Sequence, residues 1–398
     1  MKRLILLDAL RGFALLGIAL ANYPEFTLYS FLSDEEQSLM ATADADSITR
    51  WAQLILVDGK FYTIFSILFG IGFSIILENS LAKGRNGMVI FYRRMLILVA
   101  IGLAHLLFLW SGDILLLYAL MGMVLPLFRS CTTRKLLQWA IAFLILPVVC
   151  DTAISITGID PATVPYDAWW STATAYGITE TNFASWLRDA SSYNDVHAFL
   201  MQGAWERMWE FVSSHRYFKV LGLFLIGYAI GKSKLQTAVN QHKATLLKVA
   251  SFGFAIGLPL SAAYAWSAVY SHPMGDIPHS ILYAFSVYPL GIAYIAAFAL
   301  LLDKCPKSIL WKCLSFPGRM SLTCYLSQSI IGMLLFYGIG FGLGLSFGLW
   351  QTELIAIGIF TIEIAFSAIW LRYCQYGPFE WVWRMLTYSK VLPLKKNN

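Results

Sequence analysis

Long apolar runs broken by short polar segments dominate the chain. Windows of roughly 17 to 25 residues, the length that crosses a bilayer, recur ten times, near residues 7–30, 52–77, 90–110, 113–129, 134–157, 217–234, 245–270, 281–302, 321–343 and 349–372. This pattern predicts an all-α, polytopic membrane bundle of about ten transmembrane helices. The polar segments between the windows differ in sign. Lys2 and Arg3 precede the first window, and Lys83, Arg85, Arg93 and Arg94 separate the second from the third. Arg129, Arg134 and Lys135 follow the fourth, Lys232, Lys234, Lys243 and Lys248 the sixth, and Lys304, Lys307, Lys312 and Arg319 the eighth. Arg372, Arg384, Lys390, Lys395 and Lys396 close the chain. All of these fall on one side, which the positive-inside rule makes cytoplasmic, with both termini on it. The opposite loops are acidic or neutral, as in Asp34, Glu35, Glu36, Asp44 and Asp46.

Three stretches depart from the simple repeat of spans. The fourth window is short and follows Ser111, Gly112 and Asp113 with little loop, which suggests a tight hairpin with the third. Residues 158–216 look soluble and carry Trp169, Trp170, Trp186, Trp205 and Trp209 among charges. Such a mixture suits helices in the headgroup plane, either as an interfacial collar or as a lid over an outward-facing cleft. The chain thus reads as one transmembrane domain over 1–398 with an outer helical insertion at 158–216. The stretch Tyr376 to Arg384 predicts a short helix on the inner surface, with Pro378 in its first turn and Glu380 paired to Arg384. No internal repeat stands out, which weighs against an inverted-repeat transporter.

Composition narrows the class further. Hydrophobic residues make up 58% of 398 and charged ones 13%, about half the charged share of a soluble domain. Membrane lipid is therefore the constant partner. The first apolar run keeps Asp8, Arg11 and Asn22 and lacks a small-residue cleavage site, so no signal peptide is expected. Topology accounts for the net charge of +6, and no nucleic-acid partner is expected. The six cysteines lie in spans or at cytoplasmic ends without a CxxC, so neither a disulfide nor a metal site is expected. The Gly340, Gly342, Gly344 face would permit a homodimer contact.

Candidate chemistry lies in polar stripes on apolar helices. From Arg11, eleven helical steps bring Asn22 to within about 20° of the same face and roughly 16 Å deeper, with Asp8 about 60° away. Polar groups at such depth are costly and usually face a bundle interior or a wet pathway; a packing lock, with Asp8 neutralising Arg11, is the plain alternative. Arg94 and His105 repeat the interval of eleven. An imidazole can act as a general base near neutral pH, and Asp113 is the nearest carboxylate in sequence to orient it. Ser321, Tyr325 and Gln328 form a third stripe, for which interhelical hydrogen bonding is the alternative. Asp58 and Lys60 flank Gly59 in the second window and either neutralise one another or serve an acceptor. Phe61, Phe65 and Phe69 read as packing, with Gly70 and Gly72 allowing close helix contact. Glu363 needs a partner. His197, His215, His242, His272 and His279 read as solvated.

At these residues the sequence resembles the YeiB-like membrane proteins. The matching segments are Leu7 to Gly12 with Asn22, Phe65 to Gly72, Arg93 to Tyr118, Gly318 to Thr323 with Tyr325 and Gln328, and Gly377 to Trp381. That family is grouped with the transmembrane acyltransferases, including heparan-alpha-glucosaminide N-acetyltransferase and the family-three membrane acyltransferases. The resemblance implies acetyl-CoA, or another acyl-CoA, bound from the cytoplasm and an acyl group delivered to an acceptor at the far side. It also implies a multi-pass protein of the bacterial inner membrane. Arg11 matches the arginine of the shared first-helix motif. Asn22 matches the asparagine of the glucosaminide enzymes, where family-three members place a histidine. The glucosaminide enzymes put a catalytic histidine eleven residues beyond that asparagine; here Ser33 stands there, and His105 is the histidine left to act.

Two functions fit. In an acyltransferase, Arg11, Arg94 and Arg319 would hold the CoA phosphates, with Arg93, Ser321, Tyr325 and Gln328 on the same donor side. Asn22 would donate to the developing oxyanion and His105, oriented by Asp113, would deprotonate the acceptor held near Asp58 and Lys60. The alternative is a permease for a small anionic metabolite, with the stripes lining its path and Glu363 or His105 relaying protons.

Overall fold

The computed structural model describes residues 5–396; Lys2 and Arg3 lie outside the described residues. In chain order the helices are α1 (Ile5–Phe26), α2 (Asp34–Ser38), α3 (Ala43–Leu56), α4 (Lys60–Leu81), α5 (Gly87–Phe108), α6 (Leu115–Val124), α7 (Thr133–Thr157), α8 (Thr163–Ala175) and α9 (Phe183–Asp189). They continue as α10 (Tyr193–Ser213), α11 (Arg216–Lys232), α12 (Lys243–Val269), α13 (Asp276–Lys304), α14 (Ile309–Arg319), α15 (Ser321–Phe336), α16 (Leu349–Tyr373) and α17 (Pro378–Tyr388). Among the described residues the elements are helical throughout, apart from one isolated bridge between Cys374 and Lys395. Seven helical segments are long and apolar enough to cross a membrane, those built on α1, α3 with α4, α5, α7, α12, α13 and α16; Leu115–Phe128 and Ser321–Phe336 are shorter apolar helices. This is the architecture of a multi-pass, all-helical membrane protein.

Helix α1 is the hub, buried on most of its surface. Its glycines explain why. A Cβ on Gly12 would lie 1.9 Å from the Leu314 carbonyl oxygen of α14, and one on Gly318 of α14 would lie 1.8 Å from the Asp8 carbonyl oxygen. The two backbones touch, a device that replaces the missing hydrophobic drive between helices in lipid. Helices α4 and α11 repeat it through Gly70 against the Phe224 carbonyl and Gly227 against the Ile67 carbonyl, each 2.0 Å from the added Cβ. Gly72 differs from its expected role and meets nothing within 4 Å.

The expected second span, 52–77, is not continuous. It breaks between α3 and α4 at Val57, Asp58 and Gly59, with Gly59 in the left-handed region at φ 72°, where glycine has no steric penalty. A break in mid-bundle orphans the last carbonyls of the first helix. Here three consecutive ones are taken up by side chains: Lys60 Nζ donates to Leu54 at 2.7 Å, Ser261 to the Ile55 oxygen at 2.9 Å and Tyr294 to the Leu56 oxygen at 3.1 Å. Gly59's own carbonyl accepts from Thr63 at 2.7 Å.

The ninth window is also shorter than expected. Helix α15 stops at Phe336, and the chain folds back so that the amides of Phe341, Leu343 and Gly344 donate to the carbonyls of Leu334, Leu335 and Phe336. Gly340 and Gly344 pack inside this turn, against the Leu334 carbonyl oxygen and Leu28. These two small faces are used within the chain.

Contacts between loops gather the basic segments at one end. Tyr228 donates to the Arg129 carbonyl, Lys232 to that of Cys131, and Lys243 pairs with Asp303 at 2.6 Å. At the opposite end, α8, α9 and α10 pack on each other. Trp169 stacks on Trp170 and Trp209 at ring distances of 5.1 and 5.4 Å and donates to Gln202, while Trp186 donates to the Asp195 carbonyl. Trp169, Trp170 and Trp209 therefore cluster together, while Trp205 stays exposed.

Candidate functional site

A cavity of about 1240 Å³ runs through the bundle. One face of α1 forms its spine: Leu15, Ile18, Asn22 and Glu25 all line it, at the three- and four-residue spacing that puts them one above another. Helix α4 supplies Phe61, Tyr62, Phe65 and Phe69, so the aromatic series packs in the core, as expected, and also contributes to the cavity wall. Near the basic end the walls are Ser321, Leu322 and Tyr325 of α15 with Trp383 of α17. At the other end they are Trp209 and Glu210 of α10, Arg216 and Lys219 of α11, and the turn around His272 and Asp276.

The two ends differ in chemistry. At the basic end Arg93 and Arg94 hold α17 in place. The Arg94 guanidinium lies 3.7 Å over the Trp383 ring, whose Nε1 donates to the Arg94 carbonyl at 3.1 Å. Arg93 donates to the Thr387 carbonyl and to Ser389. Glu380 does not pair with Arg384, as its spacing suggested. It caps the start of α15, accepting from the amides of Leu322 and Thr323 at 2.7 and 3.1 Å and from the Thr323 hydroxyl at 2.6 Å. A carboxylate suits the positive end of a helix. Arg384 instead lies over the Tyr376 ring at 4.8 Å. Arg11 pairs with Asp8 at 3.2 Å.

At the other end, charges of both signs line the cavity itself. Arg207 lies between Glu25, at 3.7 Å, and Glu210, and donates to the Ser111 carbonyl at 2.9 Å. Arg216 pairs with Glu210 at 2.5 Å. Burial tends to raise the Glu210 carboxyl, but Arg207 and Arg216 outweigh it and hold it below the ordinary range. Glu206, one turn earlier on α10, is pushed up to about 8 by burial and the nearby Glu25. Asp58 accepts from Tyr264 at 2.6 Å, Tyr62 and Tyr283 share a hydrogen bond of 2.9 Å, and the Lys219 ammonium stands 4.0 Å from the Tyr283 ring centre.

Of the residues expected at a site, Asn22, Asp58, Ser321 and Tyr325 line the cavity. His105 and Asp113 are brought together as expected, Nδ1 to Oδ2 at 2.8 Å, but both are 1% exposed and neither reaches the wall. The other ring nitrogen, Nε2, meets Ser329 Oγ at 2.8 Å, and Asp113 Oδ1 accepts from the Leu116 amide at 2.7 Å. His105 is thus committed on both sides, behind Gly112, Ile114 and Tyr325, whose ring centre is 5.1 Å from its own. Gln328 turns the other way and donates to Glu363 at 2.8 Å, with Ser327 donating to the same carboxylate at 3.0 Å. This supplies the partner Glu363 needed and takes Gln328 off the donor side. Lys60 is fully buried in its capping role, neither paired with Asp58 nor on the wall. Arg11, Arg93, Arg94 and Arg319 lie outside the lining, and Arg94 reaches it only through Trp383.

Sequence reasoning missed Glu25, Arg207, Glu210, Arg216 and Lys219. Glu25 follows Asn22 by three residues, a signal that was available; Arg207, Glu210 and Arg216 lay in a stretch read as interfacial, and Lys219 in the sixth apolar window. His215, read as solvated, is buried and meets Asp151 Oδ1 at 3.0 Å, and Ser280 donates to the same carboxylate. His279 pairs with Ser267 Oγ at 3.0 Å and stacks on His272.

The fold and cavity define a polytopic helical membrane protein with a polar-ended internal chamber. Residues 230–390 match the family model described as a protein of unknown function, DUF418. The chain is 28% identical to the uncharacterized protein YxaH of Bacillus subtilis (strain 168) over 403 residues, 99% of this chain and 96% of that one. It is 29% identical to the uncharacterized protein YeiB of Escherichia coli (strain K12) over 411 residues, 97% of each. Over nearly its full length the chain is therefore similar to the YeiB-like proteins. No solved structure matches it.

Proposed function

We propose that the chain is a membrane-embedded acyltransferase that moves an acyl group, acetyl in the simplest case, from cytoplasmic acyl-CoA to an acceptor on the outer side. In this reading it crosses the bacterial cytoplasmic membrane ten times, with both termini inside and residues 158–216 outside. The carrying observation is that Asn22 stands on the wall of one cavity that extends from Ser321 and Trp383 to the charged ring around Arg207 and Glu210. The stretch of α1 from Leu15 to Glu25 spans about 15 Å, comparable to an extended pantetheine arm. A donor entering beside Trp383 meets the positive field of Arg94, Arg11 and Arg319, and its arm passes Leu98, Phe69 and Tyr325. The thioester carbonyl then reaches Asn22, whose side-chain amide donates to the oxyanion, while the acceptor enters from the charged end.

The test uses detergent-purified protein. Acetyl-CoA and CoA raise its melting temperature and an unrelated nucleotide does not. Asn22→Ala keeps that shift and loses transfer by about 10²–10³-fold, as loss of one oxyanion donor does elsewhere. No shift at millimolar ligand counts against the proposal.

The extension of the cavity towards both ends also favours a permease for a small metabolite. Uptake into proteoliposomes without an acyl donor is the result that would select it.

A further inference from the structure

Because His105 is enclosed, the proton-accepting group has to be sought on the cavity wall. We propose, resting on the acyl-transfer reading, that Glu25 is the general base for the acceptor. The choice follows from position. Glu25 and Asn22 lie three residues apart on the cavity face of α1, where side chains are about 5–6 Å apart at Cβ. The oxyanion donor and a carboxylate therefore flank the same point. Glu25 keeps 34% of its side chain exposed, whereas Arg207, its ion-pair partner at 3.7 Å, keeps 10%. Arg207 is anchored by Ser111 and Glu210, so it positions the carboxylate without enclosing it. The remaining charged or titratable groups that act on Glu25 are Glu206 and Glu210 on α10, Arg216 on α11, and Tyr325 and Tyr337.

The step balances without another reactant. Glu25 takes the proton of the acceptor hydroxyl or amine as its oxygen or nitrogen bonds to the thioester carbon. The tetrahedral oxyanion rests on the Asn22 amide. Its collapse breaks the carbon–sulfur bond, and the proton held by Glu25 passes to the departing thiolate, giving the acylated acceptor and free CoA.

The experiment measures thiol release from acetyl-CoA by membranes carrying the full chain, with melting-temperature shifts by acetyl-CoA on purified protein. Glu25→Gln is expected to lower release by about 100-fold or more while the acetyl-CoA shift stays. Glu25→Asp keeps the carboxylate, sets it back by one methylene, and is expected to lose about tenfold with the acid limb of the pH profile retained. If the Gln variant does not fold, the Asp variant decides, and a rate within about threefold of wild type overturns the proposal. Wild-type turnover with Glu25→Gln within about threefold sinks this proposal and leaves acyl transfer standing. Wild-type membranes with no thiol release above membranes lacking the chain sink both.

Discussion

Two polar groups occupy the middle of this bundle, and they face opposite ways. Asn22, with Glu25 one turn further on, lines the open cavity. His105, with Asp113 and Ser329, makes a closed chain of hydrogen bonds between α5, the loop after it and α15. Both were legible as polar residues deep in apolar helices, and both share the interval of eleven residues from an arginine. The difference lies in what surrounds them. The α1 face carrying Asn22 looks across the cavity at the aromatic row of α4. The α5 face carrying His105 is covered by α15 and by the backbone of Gly112 and Ile114. A buried polar group in lipid must be satisfied, and neighbours from two other elements satisfy His105 completely. Its hydrogen bonds hold three segments together, whereas Asn22 and Glu25 line the cavity.

That contrast is best broken at His105. Replacing it with Ala leaves Asp113 buried without its ring partner, and breaking such a pair costs about 3–5 kcal/mol. His105→Ala is therefore expected to lower the melting temperature sharply, with any loss of transfer following the loss of folded protein. A variant that melts like wild type but transfers at a hundredth of its rate, by the scale of a lost general base, would place His105 back in the chemistry. Lys60 sharpens the same distinction at a second residue expected to bind substrate. Lys60→Met removes the donor to the Leu54 carbonyl and is expected to cost about 1–3 kcal/mol of stability. Substrate affinity in the protein that remains folded should be unchanged, which titration of either substrate checks.

A pH-dependent effect is expected at Glu206, beside the open site. Its folded value, about 8, lies above the ordinary 4.5, so folding favours the protonated form. Its stabilising contribution is full below the unfolded value and is lost as pH rises through the folded one. Glu206→Gln should therefore melt progressively higher than wild type as pH climbs from about 5 to about 8, with a constant gap beyond. Melting curves across that range check it, and a gap that narrows with pH would refute the assignment.

Much of the architecture was readable because bilayer thickness sets helix length and the cost of moving charge sets which loops are basic. Both act on local sequence, and seven of the ten apolar windows coincide with helical segments long and apolar enough to cross a membrane. Breaks were harder to read. The interruption at Asp58 and Gly59 holds only because Lys60, Ser261 and Tyr294 cap the three carbonyls it frees, and two of those come from helices some 200 residues away in sequence. The fold-back after Phe336 depends likewise on carbonyls of the preceding helix accepting its amides.

Sequence alone determined that this chain is an all-helical membrane protein similar to the YeiB-like proteins, with polar groups spaced along particular helices. It also singled out Asn22. Only the tertiary structure decided which of those groups face empty space. Periodicity places a residue on one side of its own helix, but whether that side meets a cavity, a capped carbonyl or another carboxylate depends on which helices pack there. For His105, Gln328 and Lys60 the neighbours close the space; for Asn22 and Glu25 they leave it open.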